Sequence, residues 1–442
     1  MNHLDRLSDL IAHARAAGAN TADAVLVAGT SLSVARRLGR TEHVERSEGQ
    51  DLGLRVFIGK KVAIVSATSI DRAGFADLAE RAVAMAKVVP EDSYAGLAET
   101  AAPPDTQDLD MADPAEPLTE DLVARAAIAE DAVLAVPGIT NTEGADAGYS
   151  RGEIYLVTSA GFAGHRVGTS HSVSATALVG SGTGMQRDYD YDSKVYLTDL
   201  DDPASIGQSA AKRALARLNP TRPKTGKMPV VYDPRVATSL LGHLLGAING
   251  ASVARGTSFL KEKLGQKIFP SGIFVHDDPR RVRGPRSRVF DGEGTPTKAR
   301  CFIEDGVLTT WLLDSRSARQ LGMTSTGHAA RGTSGPPSPA PSNLWLASGT
   351  LTPDELMADI KIGVYITELI GMGVNGVTGD YSRGAAGFLI RDGHLAEPVA
   401  EITVAGHLME MFANMAPAND LVFRRGTDSP TVRIDGMTMA GS

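Results

Sequence analysis

Leu52-Gly53-Leu54-Arg55-Val56-Phe57-Ile58, Gly59-Lys60-Lys61, Val62-Ala63-Ile64-Val65 reads as two apolar strands folded back over a glycine–lysine turn. Outward from this hairpin the pattern is symmetrical. On the C-terminal side, from about Arg72 to Lys87, Phe75, Leu78, Ala82 and Met85 form one helical stripe that Pro90 stops. On the N-terminal side, Ser31–Arg37 and Arg40–Ser47 suggest a second hairpin pivoting on Gly39, and Asp23–Val27 a short strand before it. Residues 4–17 place Leu, Ile and Ala at helical spacing. Residues 1–100 are thus expected to form an N-terminal α/β domain of helix, meander and helix.

The order then repeats. Residues 101–117, rich in Pro and Asp, are expected as a linker because that composition buries little. Residues 118–222 form the second α/β unit: a helix capped by Thr119 with Leu122, Ala126, Ala129 and Val133 on one face, strands between Ile139 and Leu197, and a closing helix from about Pro203 to Leu218. Residues 223–442 are expected as a mostly β C-terminal domain. It has a helix at 234–250 started by Asp233 and Pro234, an exposed proline-rich loop at Gly335–Ser342 and a short helix over Thr352–Asp359. The fold class is α+β.

Bulk properties narrow the function. The 442 residues are 42% hydrophobic and 22% charged, enough apolar material for several cores. A net charge of −8 argues against nucleic acid as a partner. The densest basic run, Pro279 to Arg288, reads as a solvated loop between strands. One cysteine, Cys301, allows no internal disulfide or thiolate metal cluster and suits a reducing compartment. The N-terminus lacks a continuous apolar stretch, and no apolar run approaches the roughly 18 residues that cross a bilayer. A cytoplasmic protein with no membrane partner is expected.

Three long stretches are distinctive: Trp311 to His328 (WLLDSRSARQLGMTSTGH), Thr367 to Phe388 (TELIGMGVNGVTGDYSRGAAGF) and Pro398 to Gly406 (PVAEITVAG). Together they resemble the TldD/PmbA family, in its PmbA (TldE) branch, and the N-terminal order of elements agrees. The resemblance implies a two-subunit cytoplasmic assembly. A TldD-type catalytic subunit holds zinc on a His-Glu-containing helix, with imidazoles binding the ion and the glutamate taking a proton from its water. The PmbA-type subunit completes the assembly and the access cavity for peptides or unfolded segments. The corresponding helix here should be 234–250. The first histidine of the motif falls on Gly242, its glutamate on His243 and its second histidine on Ala247. Glycine and alanine offer no side-chain ligand, so the resemblance implies the family architecture without its own zinc motif. No metal or other cofactor is expected, and no catalytic residue is assigned.

Other constellations carry less. His243 alone reads as a packed histidine. Gly180-Ser181-Gly182-Thr183-Gly184 lacks the following helix a phosphate loop needs. His276-Asp277-Asp278 is weak as a metal site, and Ser382 lacks Gly-x-Ser-x-Gly spacing. Asp380, Tyr381, Ser382 and Arg383, with His328 before a loop, are candidate peptide contacts. The resulting expectation is a non-catalytic subunit of a TldD/TldE-type metalloprotease complex, a homodimer when alone, because a mostly β domain must cover its sheet edges and the resemblance implies pairing with a similarly folded subunit for which a second copy can stand in. A stand-alone homodimeric peptide-binding protein and a hydrolase with an unrecognised site are the alternatives.

Overall fold

The computed structural model describes residues 2–99 and 107–442. In chain order the first unit is α1 (His3–Ala16), β1 (Thr21–Arg37), β2 (Arg40–Ile58), β3 (Lys61–Ala67) and α2 (Phe75–Val88). The second is α3 (Thr119–Leu134), β4 (Asn141–Thr158), β5 (Ala163–Val179), β6 (Gln186–Lys194) and α4 (Pro203–Ala216). The helices begin where local chemistry dictates. The Asn2 side chain accepts the Asp5 N–H, and Asp202 caps α4 ahead of Pro203. At α3 the cap lies one residue earlier than Thr119: the Asp121 carboxylate accepts the Leu118 N–H at 2.8 Å.

The two units are halves of one antiparallel sheet, ordered β3-β2-β1-β4-β5-β6. Strands expected to break near residues 28–31 and 48–51 instead run through: β1 has 17 residues and β2 has 19. Gly29 and Gly49, which fall in those gaps, lie opposite each other mid-strand, in register with Gly152 and Gly168. All four long helices cover one face. Ala22, Ala24 and Leu26 pack under α1 and α2, and Leu32 and Val34 under α3. The alternate residues of β1 face the C-terminal domain.

That domain contains β7 (Gly226–Tyr232), α5 (Pro234–Ile248), α6 (Gly250–Ala254), β8 (Val275–Asp277), β9 (Arg300–Glu304), β10 (Val307–Leu308) and α7 (Ser315–Gln320). It continues through β11 (Ala329–Ala330), β12 (Ser338–Pro339), β13 (Leu344–Leu346), α8 (Pro353–Met357), β14 (Ile362–Ile370), β15 (Asp380–Arg391) and β16 (His394–His407). It ends with α9 (Leu408–Ala413), β17 (Met415–Pro417), β18 (Thr427–Asp428) and β19 (Val432–Ala440). Its main sheet runs β16-β15-β14-β7-β19-β17, and Thr403–Ala405 of β16 pair with Thr438–Ala440 of β19. The sheet therefore closes on itself at one end, and the expected need for a second subunit to cover its edges does not arise there. The open edge lies elsewhere: β3 pairs β2 only from Leu52 onward, and Arg40–Asp51 are exposed throughout.

Two segments read as loose are pinned. Residues 107–113, the described part of the expected linker nearest its start, lie against the basic run: Arg283 N–H donates to the Leu109 carbonyl at 2.9 Å, and its guanidinium bonds Asp110 at 2.6 Å and Asp199 at 2.9 Å. Arg281 stacks 3.7 Å from the Phe423 ring centroid. The basic run is thus a clamp and not a solvated loop. Residues 100–106 lie outside the described residues.

Where the sheet meets the C-terminal domain, Asp23 of β1 is fully buried between Arg55 (3.0 Å from Nε) and Arg331 (2.6 Å). Burial alone raises its pKa, but the charges of Arg331 and then Arg55 overcome this and hold the carboxyl below its ordinary value. A depressed acid stabilises the fold above its unfolded pKa and loses that contribution as pH falls through the folded one. Asp23→Ala leaves buried Arg331 without its acid and Arg55 with only Glu293 at 3.6 Å, and should cost about 3–5 kcal/mol in urea unfolding at neutral pH. The difference from the parent should shrink as pH drops below about 4.

Candidate functional site

Three places bear on function: the α5 helix, the turn into β15, and the His328 pocket. On α5, Leu240, Leu241, Leu244, Ala247 and Ile248 enter the main core, while Gly242 and Gly246 look outward into open space. His243 lies between these faces, edge-on to the Tyr381 ring with centroids 5.7 Å apart. Its Nε2 is buried and unpartnered, and burial, then the Arg383 charge, pushes its pKa down. This donor set does not fit zinc. Gly242 has no side chain, Ala247 is buried in the core, and one imidazole nitrogen cannot hold a tetrahedral ion.

The segment 380–383 divides by exposure. Asp380 and Ser382 are exposed and Arg383 half-buried, with its Nε 3.4 Å from the Ile370 carbonyl. Tyr381 points the other way. It is 2% exposed, and its hydroxyl lies 3.5 Å from that of Tyr232 in the core of the closed sheet. As a peptide contact its side chain is withdrawn, because strand alternation carries it inward while its neighbours face out. The bend before it depends on Gly379, at φ +93°, where a Cβ would come 2.8 Å from the His407 ring.

His328 is neither a solvated loop residue nor a surface contact. It is 1% exposed, with Nε2 3.1 Å from Asp277 Oδ1 and Nδ1 2.8 Å from the Thr326 carbonyl. Ser342 N–H donates to the same Asp277 at 2.7 Å, and the Ser342 hydroxyl bonds it too. Ser342 is itself fully buried, so the end of the proline-rich loop is not exposed as its composition suggested. His, Asp and Ser meet here, but the serine hydroxyl goes to the aspartate and not to the imidazole. No base activates it, and no substrate reaches it. The cluster anchors the 325–342 segment to β8. Its signal in the sequence was the Asp277 that had been considered with His276 and Asp278 as a weak metal site. Among the described residues, no three His, Cys, Asp or Glu side chains are grouped to hold a metal.

The sequence-predicted residues therefore fall into two places. His243, Tyr381 and Arg383 come together beside α5, while His328 lies apart with Asp277. The residues that sequence reasoning missed line an open cleft between the N-terminal sheet and the C-terminal domain, among them Arg166 and Arg288. Arg288 ends the basic run read as a solvated loop, and Arg166 stood in no motif.

Comparison with known proteins places this geometry. Residues 22–86, 112–218 and 225–441 match, in turn, domain 1, the central domain and the C-terminal domain of the PmbA/TldA metallopeptidases. The chain belongs to the PmbA/TldD metallopeptidase family. Within it the chain stands with the PmbA-type members. It is 37% identical to "Metalloprotease PmbA" of Escherichia coli O157:H7, over 93% of this chain and 90% of that one. It is 33% identical to a PmbA homologue of Haemophilus influenzae, over 96% and 93%. A crystal structure from Bacteroides thetaiotaomicron, described as a putative modulator of DNA gyrase, superposes with TM-score 0.89 at 26% identity, covering 99% of this chain and 98% of that one. TldE from Thermococcus kodakarensis shares the fold, with TM-score 0.88 at 19% identity over 99% and 100%.

A buried anchor and a catalytic cluster respond differently to the same change. Ser342→Ala should cost about 1–3 kcal/mol in chemical denaturation, since Asp277 loses a donor. It should leave any peptide cleavage per folded molecule unchanged. Lost cleavage at undiminished stability would make the cluster catalytic instead.

Proposed function

We propose that this chain is the non-catalytic, zinc-less subunit of a TldD/TldE-type cytoplasmic metalloprotease that processes peptides or unfolded segments with a TldD-type catalytic partner. One observation carries the reading. At the three α5 positions where the family resemblance puts two zinc-binding histidines and a glutamate, the chain has a glycine facing open space, a histidine turned to Tyr381 and an alanine in the core. Close relatives being called metalloproteases fits a subunit of such an assembly. No helix among the described residues is long and apolar enough to cross a membrane, which accords with the cytoplasmic assignment. The exposed side chains of Asp380 and Ser382, with Arg383 beside them, are the remaining candidates for contact with a peptide.

The purified chain should hold no stoichiometric zinc by elemental analysis and should not cleave casein or short peptides. Cleavage should appear on adding a TldD-type chain and vanish with chelator. Chelator-insensitive cleavage by this chain alone would replace the reading with a hydrolase.

Assembly follows from the surface of the same domain. The β14–β15 connection exposes Ile370 (59%), Met372 (86%) and Val377 (54%), an apolar group that a single soluble chain has reason to cover. A homodimer is expected when the chain is alone, through residues 223–442, burying more than about 1,000 Å². Light scattering at micromolar concentration should give twice the chain mass. Met372→Asp should shift it to the monomer.

A further inference from the structure

The sheet face that meets the C-terminal domain changes character along its length. Pairing across β1, β4 and β5 sets successive rows on that face: Val25–Leu156–Gly164, then Val27–Ile154–Arg166, then Gly29–Gly152–Gly168. The first row is sealed by Phe162 and Phe290. Beyond it the two domains part, leaving a cleft of about 790 Å³ bordered by residues 107–112 and 285–289. The glycine row makes the room, and a Cβ built on Gly152 meets nothing within 4 Å.

Two cations stand in this cleft without a direct ion pair, the Asp291 charge acting on both and the Asp277 charge on Arg288 only from beyond contact. Arg166 is held in β5 by its backbone opposite Ile154, but its side chain makes no hydrogen bond or ion pair among the described residues. Arg288 donates through Nη2 to the Ala340 carbonyl at 3.1 Å, but its Nε is buried with no partner. The lining carboxylates are occupied. Asp110 binds Arg283 and Tyr196, Glu153 binds Tyr155 and Arg151, and Asp108 accepts the Asp110 N–H. Asp291, behind the arginines, accepts three backbone N–H groups, and burial, then Glu293, raises its pKa to about 6. Burial, then the Arg288 charge, pushes Arg166 down to about 10. An unpaired, desolvated guanidinium is costly to keep, and an incoming anion offsets that cost.

We propose that this cleft binds a carboxylate on an otherwise apolar chain end, held by Arg166 with Arg288 beside it, its body lying over Val27, Ile154 and the glycine row. The planar guanidinium fork matches a carboxylate, the apolar floor favours a ligand with an apolar body over a bare ion, and the volume suits a short peptide end. The inference rests on the peptide-processing reading only for the source of the carboxylate.

Calorimetric titration of the intact chain tests it with four probes: N-acetyl-valyl-leucine as the free acid, the same dipeptide as its amide, N-acetyl-valyl-glutamate amide, and inorganic phosphate. The free acid should bind at least about tenfold more tightly than its amide, the worth of one charge-assisted hydrogen bond. Binding by the glutamate amide at equal strength would support the site with a side-chain carboxylate as its source. Arg166→Gln should weaken acid binding by at least about tenfold yet raise the melting temperature of the free protein, which loss of a merely structural arginine would not do. Gly152→Val, whose Cβ meets no neighbour within 4 Å, narrows the cleft and should weaken binding with an unchanged circular dichroism spectrum. Equal binding of acid and amide, or full binding by both variants, overturns the proposal. Arg166-dependent binding of phosphate with none of the acids overturns it in favour of a phosphate site. No readout needs the catalytic partner, so failure here and failure of the subunit reading are separately visible.

Discussion

The Asp23 carboxylate, buried between Arg55 and Arg331, is the constraint on which the relation of the two halves depends. Arg55 comes from the neighbouring strand and Arg331 from the C-terminal domain, with Glu293 3.6 Å from Arg55 as a second acid. Such a cluster gains little over well-packed apolar residues but tolerates almost no displacement, because each member would be left charged and dry. It therefore fixes position more than it adds stability. One row further along, Phe162 and Phe290 meet edge to face at 5.0 Å. The charged and aromatic contacts together hold one end of the interface closed while the other stays open.

Much of this fold was legible because period and punctuation are local signals. The helices at 3–16, 75–88, 203–216 and 234–248 begin at Asn or Asp caps or end near Pro, and their apolar stripes are self-evident. The long strands were not legible, since Gly29 and Gly49 carry the same one-letter signal whether the chain turns or a neighbouring surface needs space. Only the pairing across four strands, from Gly49 to Gly168, reveals the second meaning. The basic run from Arg280 to Arg288 misled for a related reason. Its partners lie far along the chain, Asp110 and Asp199 standing 173 and 84 residues from Arg283, beyond any local pattern.

Residue type at the candidate site was legible, but orientation was not. That Gly242 and Ala247 offer no side-chain ligand is a matter of residue type, read directly from the sequence. Whether Tyr381 or Ser382 faces outward depends on where β15 starts. Alternation inverts every side chain when that start moves by one residue. For His328 the deciding fact was Asp277, 51 residues away, which turned an apparent loop histidine into a buried anchor.

Helix α5 shows why architecture and chemistry can separate in one family. Its inner residues, Leu240, Leu241, Leu244, Ala247 and Ile248, are held by the packing of a shared core, and any large change there costs several kcal/mol. Its outward positions, Gly242 and Gly246, touch nothing and answer to no such constraint. Packing on the inner face can therefore hold the helix whatever residues stand at its outward positions. The interior glycines weaken the helix by about 1 kcal/mol each relative to alanine, a cost that packing on the inner face absorbs. What remains is a scaffold whose outer surface is free to serve a neighbour, and function has to be sought on the faces it turns outward.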